Sequence, residues 1–372
     1  MPNIMDYLDW RGDLSFAVSP FNEVDNYICA MVVTPDYTGA AAGEQPLREL
    51  LAAYDKLHSK DGDRLGTLAS PHTLPMLRRL GDTVRFGELR VRDFVRRYDA
   101  EITEQFSAAT VLLPDGSAYI AFCGTDDTLT GWKEDFLMSA TDEVPAQRSA
   151  LEYFCRSAEA FDGPIRVGGH SKGGNLAVYA ALHCGEALQE RIVEVYNNDG
   201  PGFRRSMTDT AEYARIKDRL CFLLPQHSMV GQLLEQGGER QIVESAVSGM
   251  WAHDGFNWQV KGTRFIRCAE LSLSARAFGD AMAEIQARMD ETERRETVEA
   301  LFDLLGSNGA RTLTELEHQS PLEAMALLKE SRKKPEVREF LEDMLGIMFT
   351  EYTEELRESL PEPSWLRRLT KK

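Results

Sequence analysis

From Ile165 to Cys184 the chain reads IRVGGHSKGGNLAVYAALHC, a short β-rich run that passes into a helical one through Gly169-His170-Ser171-Lys172-Gly173. A strand that feeds a helix in this way is half of a βαβ unit, and the flanking sequence repeats the pattern. Upstream, FSAATVLL and AYIAFCG are joined by a Pro-Asp-Gly turn, which predicts a hairpin, and a helical stretch follows near 145–161. Downstream, a helix from 172 to about 188 precedes β-rich runs at 192–196, 219–224 and 263–268. The reading is an α/β fold with a mostly parallel sheet flanked by helices, whose functional groups lie at the carboxyl ends of the strands.

The rest of the chain differs in texture. Residues 46–98 read as helical pieces rich in Leu, Arg and Asp, and beyond Leu271 the β signal vanishes. There Val298, Leu301, Phe302 and Leu305 recur with the spacing of one helix face. A second tail helix is predicted from Ser320, where Ser-Pro-Leu-Glu supplies an N-cap, a proline at the first position and a Glu three residues on. The expected organisation is a mainly helical N-terminal subregion over 1–104, an α/β core over 105–270 and a helical appendage over 271–372.

Composition excludes several classes. At 372 residues, 43% hydrophobic and 27% charged, the chain is of ordinary globular make-up. Its formal net charge of −18 opposes binding to nucleic acid or anionic lipid surfaces. The N-terminus lacks the basic and apolar regions of a secretory signal, and no apolar run reaches the ~20 residues of a transmembrane helix. A cytoplasmic protein is the expectation. The six cysteines form no CxxC pair and the seven histidines no helical ligand pair, so no metal is expected and the thiols read as buried and reduced.

The chemistry concentrates in the strand-to-helix turn. Gly169 and Gly173 give the room for a strained turn that lifts the Ser171 hydroxyl clear of the backbone, as a serine nucleophile requires. The helix beginning at Lys172 then aims unpaired N–H groups and its positive dipole end at an oxyanion, with the Lys172 N–H as one donor. The sequence assigns no role to the Lys172 side chain.

A second stretch, AFCGTDDTLTGWKEDFLMSA at 121–140, stands before this elbow. Phe122-x-Gly124-Thr125, then Trp132 and Asp135, then Gly-His-Ser-Lys-Gly together resemble the class 3, or fungal-type, lipases of the α/β-hydrolase superfamily. The resemblance covers about 105–270. It implies the α/β-hydrolase fold, with the Thr125 N–H and hydroxyl in the oxyanion hole and Asp135 bracing the loop. The pattern departs at Cys123, where that family commonly has Arg. The whole chain is also similar to an uncharacterised bacterial family of lipase-like proteins, which implies the fold without a substrate.

The fold orders its triad as Ser, then Asp or Glu, then His. His253, in the aromatic and glycine-bearing loop GMWAHDGFNWQV, is the expected base, with His227 in LLPQHSMVG as its rival; His253 could instead cap a turn and pair with Asp254. His183, three turns along the elbow helix, is out of reach. Asp199, after the strand that follows the elbow helix, is the expected acid, although Asp-Gly-Pro-Gly is also good turn chemistry. In class 3 lipases the acid comes one strand later, where Gln226 to Ser228 carry no carboxylate, so the role falls to Asp199 or the triad is incomplete. The aromatics Trp251, Phe256 and Trp258 would line an acyl pocket or pack as core.

These residues predict a cofactor-free serine hydrolase of lipase or esterase type, acting on a small acyl ester or lipid-like substrate. A non-catalytic binding or scaffold protein built on the same fold is the alternative.

Overall fold

The computed structural model of the chain describes residues 2–59, 65, 66, 69–319 and the isolated positions 337, 338 and 340. Helices α1 (Ile4–Arg11) and α2 (Glu23–Met31) open the chain, followed by the short strand β1 (Gln45–Pro46), α3 (Leu47–Leu57) and α4 (Thr73–Leu80). Strands β2 (Arg90–Asp99), β3 (Glu104–Leu112) and β4 (Ala118–Phe122) form an antiparallel meander, and β3 and β4 are the predicted hairpin. Then come α5 (Leu129–Leu137), α6 (Pro145–Glu159), β5 (Ile165–His170), α7 (Lys172–His183), α8 (Glu186–Gln189), β6 (Ile192–Asn198), α9 (Ala211–Ile216), β7 (Leu220–Pro225) and β8 (Arg240–Val243). The tail contributes α10 (Leu273–Arg288), α11 (Glu291–Leu305) and α12 (Leu313–Glu317). The helix predicted from Ser320 lies outside the described residues.

Strands β1 to β8 form one sheet in strict sequence order, antiparallel as far as β4 and parallel from β4 to β8. Two local expectations change. The end of the stretch 46–98, read as helical, is strand β2. The β-rich run at 263–268 contributes only Arg264–Phe265, paired with Val260–Lys261 in a separate ribbon, and the last strand of the sheet is β8. Both were hard to read because β2 is largely exposed and studded with arginine, and β8 is only four residues long.

The sheet order dictates what covers each face. Parallel strands laid down in sequence order, with crossovers of one hand, put all their connecting helices on the same side. Side chains of α6 and α7, such as Phe154, Leu176 and Leu182, accordingly pack with Phe122, Val167, Val195 and Phe222 in one buried layer. Successive residues of a strand face opposite ways, so Tyr119, Ala121, Tyr196 and Leu223 are left to be covered from elsewhere. The N-terminal segment covers them with Ile4, Tyr7, Val24, Tyr27 and Ile28. Each such side chain stabilises by about 1.5–3 kcal/mol, so this segment is a structural layer of the sheet.

A buried ion pair fixes that layer. Arg85 donates from Nε to Asp25 Oδ1 (2.7 Å) and from its remaining nitrogens to Asp25 Oδ2 and the carbonyls of Leu14, Ser19 and Pro20. Tyr7 donates its hydroxyl to the same carboxylate at 2.7 Å. Satisfying every hydrogen-bonding position in this way is what makes a buried pair tolerable.

On the tail side, α11 packs on α5 through Leu129, Val298, Leu301 and Phe302. The segment before α12 bonds to the start of α5: Leu129 N–H donates to Arg311 O (2.8 Å) and Leu313 N–H to Asp127 O (2.9 Å). No helix among the described residues is long and apolar enough to cross a membrane.

Candidate active site

Register brings the carboxyl ends of β4, β5, β6 and β7 side by side: Phe122 stands opposite Gly169, His170 opposite Asn198, and Asn198 opposite Leu223. The segments that leave these ends carry Gly124-Thr125, Ser171, Asp199 and Gln226 to Ser228 in turn. This is the edge where an open α/β sheet places its ligands.

Ser171 occupies the turn between β5 and α7 with φ 59° and ψ −134°. A non-glycine residue held there costs on the order of 1–3 kcal/mol, so the surroundings must enforce it. They do so by close approach. A Cβ on Gly173 would lie 2.1 Å from Phe122 O, and one on Gly169 would lie 2.3 Å from the carbonyl carbon of Gly173. The Ser171 N–H is anchored to Asn198 O at 3.0 Å. The Asn198 side chain donates to Gly169 O (2.9 Å) and accepts from Asn26 of α2 (2.8 Å), whose own oxygen accepts from Tyr119 (2.6 Å). The elbow is therefore pinned from both neighbouring strands and from the N-terminal layer.

Asp199 follows β6, also at positive φ (53°), and is fully buried. One carboxylate oxygen accepts from the Ser228 hydroxyl and from the Gly231 N–H (3.1 Å). The other faces His253 Nδ1 at 2.7 Å. Burial holds the Asp199 pKa above its ordinary value, against the opposing pull of His253, Ser228 and the Gly231 N–H. The stretch from Gln226 to Gly231 after β7, which holds no carboxylate, thus meets the one from the end of β6 with two donors.

His253 ends a 3-10 turn, Gly249–His253. It pairs with Asp199, while Asp254 caps the next turn by accepting from the Phe256 N–H. The rival His227 meets the side chain of its neighbour Gln226 at 2.8 Å. Trp258 and Phe256 pack as core, and Trp258 donates to Ala252 O (2.8 Å), whereas Trp251 is 76% exposed.

Sequence reasoning passed over His170. Its ring lies over that of His253, with centroids 4.3 Å apart, and its Nε2–H donates to the His253 carbonyl at 2.7 Å. Burial, followed by the neighbouring His253, lowers its pKa to about 3. His170 stays neutral and ties the residue before Ser171 to the His253 turn. Among the described residues Ser171 Oγ makes no hydrogen bond to His253.

The loop after β4 brings Thr125 to the same edge; a Cβ on Gly124 would lie 3.2 Å from that of Ser171. Thr125 donates its hydroxyl to Asp135. A hydroxyl has one proton, so with Asp135 ionised only the Thr125 N–H remains as a donor. The N–H groups of Thr125 and Lys172 have no hydrogen-bond partner among the described residues. An arginine does meet this loop, although Cys123 holds the expected slot: Arg96 of β2 pairs with Asp126 at 2.9 Å. No group of three His, Cys, Asp or Glu side chains that could hold a metal ion occurs among the described residues.

Fold and sheet edge define an α/β-hydrolase-like protein. The sequence profile of the Mbeg1-like family matches residues 80–303, and the chain belongs to that family, a lipase-like group related to the class 3 lipases. No curated protein and no solved structure matches the chain.

Proposed function

We propose that the chain is a serine hydrolase that cleaves a carboxylic ester or related acyl bond through an acyl-enzyme. The observation that carries this reading is the strained, glycine-framed Ser171 turn beside a histidine whose Nδ1 faces a buried carboxylate. In this reading Ser171 Oγ attacks the acyl carbon as its proton passes to His253 Nε2, and Asp199 holds the imidazole with Nδ1 protonated. The N–H groups of Thr125 and Lys172 receive the oxyanion. Collapse expels the alcohol, which takes the proton from His253. Water then repeats the sequence on the acyl-serine, releasing the acid and restoring Ser171. Family membership supports the lipase-like class, and the chemistry needs no cofactor.

A second reading, a binding or scaffold protein on the same fold, is favoured by the missing hydrogen bond between Ser171 and His253. Labelling with a fluorophosphonate probe separates the two without knowledge of the substrate. Labelling of wild type that disappears in Ser171→Ala and His253→Ala is the expected result. Failure of the folded wild type to label would move the assignment to the scaffold.

A further inference from the structure

We propose that the Lys172 side chain is a positioning residue that locks the two oxyanion-hole donors into one unit, a role that rests on the hydrolase reading. The Lys172 N–H is one of those donors, and its ammonium group reaches back beneath the other. Nζ is fully buried and donates to Gln105 O (2.9 Å), Gln105 Oε1 (2.6 Å) and Glu134 Oε2 (3.0 Å), which uses all three of its protons. Asp135 Oδ1 lies 3.7 Å away.

Glu134 and Asp135 are neighbours on α5, the helix that follows the Thr125 loop. Glu134 is itself fully buried and accepts the Gln105 N–H (3.0 Å) and the Ala146 N–H (2.7 Å), so it ties α5 to β3 and to the start of α6. Asp135 accepts the Thr125 hydroxyl. The connection therefore runs from the backbone of the elbow, along the Lys172 stem, through the α5 carboxylates and back to Thr125. Asp135 Oδ1 makes no hydrogen bond, but the three protons of Lys172 are all taken, and in a low-dielectric interior breaking any of those contacts strands a buried charge, which makes the connection stiff.

The charges facing Asp135 come from three elements: Lys172 of α7, Glu134 of α5 and Asp126 of the preceding loop, the last already paired with Arg96. Burial raises the Asp135 pKa to about 6, with Lys172 the strongest influence pulling it down and Glu134 and Asp126 pushing it up. For Lys172 itself burial disfavours the charge, but Glu134 and Asp135 outweigh it and its pKa is raised. Lys172 thus keeps Asp135 ionised near neutral pH, and an ionised Asp135 holds the Thr125 hydroxyl.

The test removes both buried charges together, because Lys172→Met alone strands Glu134. In Lys172→Met/Glu134→Gln, fluorophosphonate labelling at pH 7 should slow about tenfold, less than the 10²–10³ lost when an oxyanion donor is removed outright. The ratio of wild-type to variant labelling rates should change with pH around 6, where Asp135 ionises in wild type, and amide exchange at 124–128 should quicken while the rest of the chain stays protected. Unchanged exchange at 124–128, or a rate ratio that does not vary with pH, in the folded variant overturns the proposal. Faster loop exchange in a protein whose wild type never labels overturns the hydrolase reading, and the oxyanion role with it. Should the double variant fail to fold, Asp135→Asn carries the test: the ratio of wild-type to variant labelling rates should rise as pH passes upward through about 6, and a ratio independent of pH refutes the coupling.

Discussion

Replacing Asp199 by Asn tests the proposed base most directly, because the surroundings leave the new amide one orientation. One carboxylate oxygen of Asp199 accepts from Ser228 and from the Gly231 N–H, and the other faces His253 Nδ1. An asparagine must keep its carbonyl toward those two donors, so its NH2 points at His253. Nδ1 must then accept, the ring proton moves to Nε2, and the nitrogen meant to deprotonate Ser171 has no free lone pair. A wrong tautomer of this kind costs about 10⁴-fold in a serine triad, or about 5 kcal/mol of transition-state stabilisation. The substitution is isosteric and removes a buried charge, so the fold should survive. The second-order rate of fluorophosphonate labelling, measured from pH 6 to 9 beside a thermal melt, reads both effects. Labelling within about tenfold of wild type in a folded Asp199→Asn protein would refute the assignment of His253 and Asp199 as base and acid.

Three further substitutions probe the frame around the site. Gly173→Ala forces a Cβ to 2.1 Å from Phe122 O, a backbone atom with no freedom to yield; a loss of at least ~2 kcal/mol in chemical denaturation is expected, together with loss of labelling. His170 is held neutral with its pKa at about 3, so below about pH 6.5 the unfolded chain binds a proton that the folded chain does not, and this group makes stability fall as pH falls. Between pH 6.5 and 5 wild type should lose up to ~2 kcal/mol relative to His170→Gln, and parallel stability curves would contradict the assignment. Leu313 is the first residue of α12, where proline is tolerated, yet its N–H bonds to Asp127 O at 2.9 Å. Leu313→Pro should cost ~1 kcal/mol and speed amide exchange over 127–131, a change that would be absent if the tail did not hold the start of α5.

The legible and illegible parts of this molecule divide along a physical line. Contacts that are local in sequence were readable: the Pro-Asp-Gly hairpin, the strand-turn-helix around Ser171 and the tail helix from Val298 to Leu305 each declare themselves through spacing and turn chemistry. The roles of Glu134, Asn26 and Asn198 were not, because each depends on a partner brought close only by the sheet. Asn197-Asn198 at the end of an apolar run did offer a signal, since buried amides demand partners, but nothing nearby said that one of those partners would be Asn26, 172 residues away. Lys172 was passed over for the opposite reason. Lysine beside a nucleophile reads as a solvated charge until β3 and α5 are seen to enclose it, and only their arrangement supplies the two carboxylates that make its burial affordable. The same arrangement explains how a carboxylate from the end of β6 meets His253 where Gln226 to Gly231, just after β7, hold none: Ser228 and Gly231 hold the Asp199 side chain from that stretch, so position in space, and not the strand of origin, decides which acid meets His253.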